Sequence, residues 1–148
     1  AVDEDIAAAM RVMTAAFPAE FGEAWSAPQL TGMMRLPGFF LAGCRIHNGP
    51  VGFGLLRSIV GEAELLLLAV HPAHRVRCHG RRLLDRCMTE AEGSGAKTMF
   101  LEVRAGNPAI HLYSKAGFRQ YNVRREYYAG SNGHRFDALC FKIILGHD

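Results

Sequence analysis

Five arginines, Arg75, Arg77, Arg81, Arg82 and Arg86, gather where a loop runs into a helical pattern. The loop reads His71-Pro72-Ala73-His74-Arg75-Val76-Arg77-Cys78-His79-Gly80, and the helix continues Arg81-Arg82-Leu83-Leu84. Before it, residues 64–70 form a leucine run that closes Leu68-Ala69-Val70 and reads as a strand. A helix start leaves backbone N–H groups without intrahelical partners and carries the positive end of the helix dipole. Arginines beside such a turn complete what a pyrophosphate requires. Each arginine alone is an ordinary solvated surface charge; their convergence on one helix start singles them out.

His71, His74, Cys78 and His79 fall in the same stretch and have zinc-ligand chemistry. Structural zinc sites draw ligand pairs from two elements, and no second pair is evident, so no metal is expected. His79 is expected to face solvent or phosphate. The four cysteines, Cys44, Cys78, Cys87 and Cys140, are irregularly spaced without a C-x-x-C pair. That pattern suits free thiols in a reducing compartment, the cytoplasm. A net charge of +3 is too small for general nucleic-acid binding. No stretch has the apolar length of a membrane span. The acidic start Ala1-Val2-Asp3-Glu4-Asp5 is unlike a secretory or transit signal. The 148 residues suit one domain, 1–148, with a full hydrophobic core.

Elements must hold that turn in place. Residues 3–17 are alanine-rich with Ile6, Met10, Met13 and Phe17 at helical spacing. Ser26 is an N-cap for a short helix with Pro28 in its first turn, ended by Pro37-Gly38. Residues 39–46 and 51–59 read as a hairpin around His47-Asn48-Gly49-Pro50. After the leucine strand and the loop, an amphipathic helix runs to about residue 92 and Gly93-Ser94-Gly95 closes it. A strand over 98–104, a helix over 107–116 stopped by Gly117, and strands over 118–128 and 136–145 complete one mixed α/β sheet domain.

Three spaced motifs agree in order: the strand, loop and helix just described, then Leu101-Glu102-Val103-Arg104 with Asn107 after it, then Leu112-Tyr113-Ser114-Lys115-Ala116-Gly117-Phe118. Together they resemble the GNAT superfamily of acetyl-CoA-dependent N-acetyltransferases, from about Phe17 to the C-terminus. Ala24-Trp25-Ser26, the Leu-Glu-Val-Arg strand and Arg124-Arg125-Glu126-Tyr127-Tyr128 before a hairpin turn are similar to the bacterial ribosomal-protein-alanine N-acetyltransferase branch. The resemblance implies an α/β (α+β) fold. Its mixed sheet has about six or seven strands and about four flanking helices, with two parallel strands splayed at the cofactor site.

It also implies acetyl-CoA as co-substrate and direct attack of an amine on the thioester in a ternary complex. By resemblance, Glu102 is the base and Tyr113 the acid for the leaving thiolate, and the N–H of Val70 meets the oxyanion. The backbone of Leu68, Ala69 and Val70 takes the pantetheine arm as an added strand. Arg75, Val76, Arg77, Cys78, His79, Gly80 and Arg81 hold the diphosphate, and Asn107 bonds the pantetheine. Trp25, Arg125, Tyr127 and Tyr128 shape the acceptor site. The acceptor is a protein N-terminal α-amine or a small-molecule amine, and the protein is a monomer or homodimer without nucleic-acid or membrane partners.

Plain alternatives stand beside these roles. Glu102 pairs with Arg104, Tyr113 packs in the core, Asn107 caps a helix, Trp25 is a core aromatic, and the whole chain is a non-catalytic acyl-CoA-binding module. Three departures from the pattern matter. Cys78 stands where the family's loop has its first glycine, so a side chain meets the pyrophosphate. The spacing from Asn107 to Tyr113 is one residue short, which Pro108 absorbs by starting the helix at once. The family's first strand is absent or truncated before Asp3.

Overall fold

The computed structural model describes residues 2–46, 49–74 and 79–145. Helix α1 (Val2–Ala16) leads through a 3-10 turn at Ala19–Phe21 to helix α2 (Ala27–Met34). Strands β1 (Phe39–Ile46), β2 (Gly49–Ile59) and β3 (Glu62–Val70) follow as a meander. A 3-10 turn at Pro72–His74 and helix α3 (His79–Gly93) cross over to β4 (Thr98–Arg104). Helix α4 (Ala109–Ala116) then precedes the hairpin β5 (Arg119–Ala129) and β6 (Arg135–Ile144). The six strands lie in the order β1-β2-β3-β4-β6-β5, and β3 with β4 is the parallel pair. The mixed sheet expected from the sequence is therefore observed, with element ends shifted by one or two residues.

Local chemistry explains the ends. Ser26 accepts from the Gln29 N–H at 3.2 Å and donates its own N–H to Gln29 Oε1 at 2.7 Å, a capping box that starts α2. Asn107 does not begin α4 as expected; its Oδ1 accepts from the Ala109 N–H at 2.9 Å and so caps the helix from outside.

Both faces of the sheet are packed. Helix α3 sets Leu83, Leu84, Cys87 and Ala91 against Ala63, Leu65 and Met99 on one face. Helices α1 and α2 set Val12, Met13 and Leu30 against Phe53, Leu55 and Leu67 on the other. The register of β2 with β3 slips by one between Leu55 and Leu56, so Leu66 is an extra residue. Leu65 packs with the α3 face, Leu66 and Leu67 both pack with the α1 face, and Leu68 returns to the α3 face. Such a bulge bends a strand and increases its twist.

The parallel ladder between β3 and β4 is correspondingly short. It pairs Glu62 with Thr98 through Leu65 with Leu101 and stops at the bulge. Beyond it, β3 stays on β2 as far as Gly52 opposite Val70, and β4 stays on β6 as far as Arg104 opposite Ala138. The two strands part like the arms of a V, with residues 66–70 on one arm and 102–104 on the other.

The segment between α1 and α2 is strapped over the open end of this V. The Ser131 N–H donates to Ala19 O at 3.1 Å, and the Phe21 ring meets Phe136 edge-on at 5.4 Å. Gly22 adopts φ 70°, and a Cβ there would run into the Ala129 carbonyl. Gly22→Ala combines a left-handed backbone with a main-chain clash. We expect it to lower stability by about 1–3 kcal/mol, read as a reduced urea midpoint at unchanged m-value.

Candidate active site

Two cavities meet in the V. One, of about 770 Å³, runs between β3 and the start of α3 and α4, and is lined by Leu68, Ala69, Val70, Gly80, Arg81 and Lys115 among others. The second, of about 320 Å³, lies toward the α1 face and β5, and includes Trp25, Glu64, Glu102, Tyr113, Arg124, Tyr127 and Tyr128. Phe17, Glu23, Leu68, Asn107 and Ala109 belong to both walls. The cleft therefore passes through the sheet at the splay, from one face to the other.

The larger cavity has the features of an acyl-CoA groove. The β3 arm presents an extended backbone, and the first turn of α3 supplies a helix start and the Arg81 cation. Gly80 lines the groove where α3 approaches the strand, and a Cβ there would meet Leu112 Cδ2 at 3.4 Å and Val70 Cγ2 at 3.6 Å, ordinary van der Waals contact. Arg81 also bonds Asp85 at 3.0 Å, and Lys115 adds a second cation. Arg75, Val76, Arg77 and Cys78 lie outside the described residues. His79 departs from expectation: it is buried rather than turned to solvent or phosphate, with Nδ1 3.5 Å from Cys44 Sγ.

In the smaller cavity, Glu102 accepts from Arg124 Nε at 2.8 Å. The anticipated partner, Arg104, instead donates through Nε to Glu23 Oε1 at 3.1 Å, with its guanidinium 3.8 Å from the Phe21 ring centroid. Glu23 Oε2 accepts from Asn107 Nδ2 at 2.8 Å. Tyr113 is 5% exposed, packs edge-on against Phe118 and also lines the cavity, so core packing and site position coincide in it. Trp25 likewise packs on the α1-side core and lines the cavity. Tyr127 and Tyr128 join the wall, whereas Arg125 points away, reaching Asp137 at 3.9 Å.

A bulge in β5 between Arg124 and Tyr128 makes this division. Glu126 takes φ 52°, its N–H donates to Asp137 Oδ1 at 2.9 Å, and Arg135 Nη1 donates to its carbonyl at 3.0 Å. A non-glycine residue at positive φ beside a cavity is strain held by its surroundings.

Burial pushes the Tyr113 phenol well above its usual range, with the charges of Cys87 and Glu23 adding to it. It keeps its proton at neutral pH and is a hydrogen-bond donor in the cleft. Burial, then the Glu102 charge, also raises Tyr128. Glu102 is the first cause of the upward shift of Tyr127.

Sequence reading missed Glu23, Glu64, Phe17 and Arg124. Glu64 opens the leucine strand with nothing local to mark it as a site residue, and Arg124 on β5 reaches Glu102 on β4 across the intervening β6. Residues 18–24 have no pattern that announces a carboxylate turned inward.

Comparison with known proteins completes the assignment. Residues 6–118 match the acetyltransferase (GNAT) family. The [ribosomal protein bS18]-alanine N-acetyltransferase of Haemophilus influenzae is 32% identical over 99 residues, covering 67% of this chain and 68% of that protein. The Salmonella typhimurium protein of the same name is 41% identical over 94 residues, 63% of each chain. The crystal structure of the Escherichia coli ribosomal-protein-S18-alanine N-acetyltransferase superposes with a TM-score of 0.84 at 28% identity, over 98% of this chain and 90% of that one. The chain belongs to the acetyltransferase (GNAT) family. It is an N-acetyltransferase with acetyl-CoA as co-substrate.

One pH effect follows from the cavity. Burial raises the Glu64 carboxyl above its ordinary value of 4.5; Arg57, 3.4 Å away, opposes this and the Glu102 charge adds to it. Between 4.5 and its raised value the folded protein binds more protons at Glu64 than the unfolded chain does. Stability contributed by Glu64 therefore falls as pH rises through that window. We expect the urea midpoint of Glu64→Gln to gain on that of the unsubstituted protein as pH rises from 4.5 through the raised value, and a constant difference would contradict this.

Proposed function

We propose that this enzyme transfers the acetyl group to the α-amine of a protein N-terminus, of the ribosomal-protein-alanine type. The observation that carries the reading is the meeting of two cavities at the splay, one shaped for a strand-like arm and one walled by Trp25, Tyr127 and Tyr128 around a carboxylate. The names of its relatives support the acceptor. This reading places the protein in the cytoplasm, as a monomer or homodimer.

In this scheme the backbone of Leu68, Ala69 and Val70 receives the pantetheine arm by strand addition, and the Val70 N–H meets the oxyanion. Gly80 and Arg81 lie at the diphosphate end. Glu102, oriented by Arg124, takes the amine proton directly or through one water. An α-amine has a pKa near 8, so one carboxylate relayed in this way suffices near neutral pH. Tyr113 supplies a proton or hydrogen bond to the departing sulfur.

The test is mass-spectrometric detection of acetylation on a short peptide that begins with alanine, incubated with acetyl-CoA. Modification of the α-amine is expected. Turnover of small amines with none of any peptide would discard the acceptor and leave the enzyme class. Glu102→Gln is expected to lower kcat by about 10²-fold or more, with cofactor affinity by calorimetry unchanged. Loss of cofactor binding in that variant would assign Glu102 a structural role instead.

A further inference from the structure

Acyl transfer requires the two substrates to meet where the cavities join. Five residues line both, namely Phe17, Glu23, Leu68, Asn107 and Ala109, and Glu23 is the ionisable one. Its side chain is 9% exposed and anchored by Arg104 Nε at 3.1 Å and Asn107 Nδ2 at 2.8 Å. A carboxylate has about four lone-pair positions, so those two bonds fix the group without exhausting it.

The partners of the three carboxylates differ. Glu102 and Glu64 line the acceptor cavity alone, and Arg124 lines that cavity beside Glu102. Arg104 lines neither cavity: it donates to Glu23 and to the Ala105 carbonyl at 3.1 Å, and its face lies on Phe21. The positive charge paired with Glu23 thus sits behind the carboxylate, away from the cleft. A buried ion pair is weak evidence for stability, and this one sits at the crossing of the two cavities. At neutral pH an α-amine with a pKa near 8 arrives mostly as ammonium and needs a desolvated counter-charge.

We infer that Glu23 is the substrate-binding carboxylate that receives the acceptor's α-ammonium at the junction of the two cavities, while Arg104 and Asn107 hold it in position. This rests on the peptide-amine reading above. Glu23 holds the amine, and Glu102 removes its proton through a water. The charge requirement selects acceptors that offer a free terminal ammonium.

The experiment compares two peptides on the CoA-loaded protein by calorimetry. One begins with alanine; the other is its des-amino analogue, with a propionyl group in place of the alanyl residue. The unsubstituted protein is expected to favour the amine peptide by about tenfold or more. In Glu23→Gln that preference falls toward one, while Glu23→Asp, which keeps the charge, retains most of it. Equal weakening of both peptides by Glu23→Gln would show a merely structural role and overturn the inference. Loss of the preference in Glu102→Gln, with Glu23→Gln unaffected, would move the ammonium to Glu102 and overturn it as well. Absence of acetyl transfer to any peptide by the unsubstituted enzyme is a separate failure, of the acceptor reading itself.

Discussion

β3 and β4 share four registered residues and then separate, and the chemistry of the molecule depends on that separation. Main-chain polar groups inside a protein require partners, so an interrupted ladder is stable only where something else restrains both strands. Here each arm is tied on its outer side, β3 to β2 and β4 to β6. The bulge at Leu66 marks the point of departure and resets which leucines face which core. The gap is thereby a fixed slot rather than a fraying edge, with the extended backbone of β3 along one side.

Charge is arranged around the slot by elements far apart in the chain. Glu102 on β4 meets Arg124 on β5, and Arg104 on β4 meets Glu23 in the segment between α1 and α2. Successive side chains of a strand point to opposite faces, but Glu102 and Arg104 are two residues apart and share one. Two ion pairs on the same face thus receive opposite signs from the same strand. The arrangement places one carboxylate beside an exposed arginine in the smaller cavity and another, more deeply buried, at the crossing point.

The strap over the open end joins these two features. Gly22, Phe21 and Ala19 fasten residues 17–25 to the β5–β6 hairpin, and the same stretch delivers Phe17, Glu23 and Trp25 to the cleft. The Glu126 bulge acts from the other side, turning Tyr127 and Tyr128 inward and Arg125 outward. Both devices use backbone at positive φ, which tertiary contacts must stabilise.

The amino-acid sequence by itself determined the elements, their order and several residues that line the cleft. Periodicity, the Ser26 cap and the glycine stops are local signals, each set by interactions within a few residues. The loop before α3, the Leu-Glu-Val-Arg strand and the helix bearing Tyr113 are contiguous stretches, so resemblance could single out Glu102, Tyr113, Gly80 and Arg81, which the fold places on the cavity walls. Tertiary structure alone decided which charges meet. Arg124 rather than Arg104 holds Glu102, because β6 inserts between β4 and β5; Arg125 is lost from the cavity because a bulge rotates it outward. The burial of His79 against Cys44 and the inward turn of Glu23 depend on contacts 35 and 81 residues away along the chain. Pairing at such separations is governed by sheet order and packing, and these have no local signature for a sequence to display.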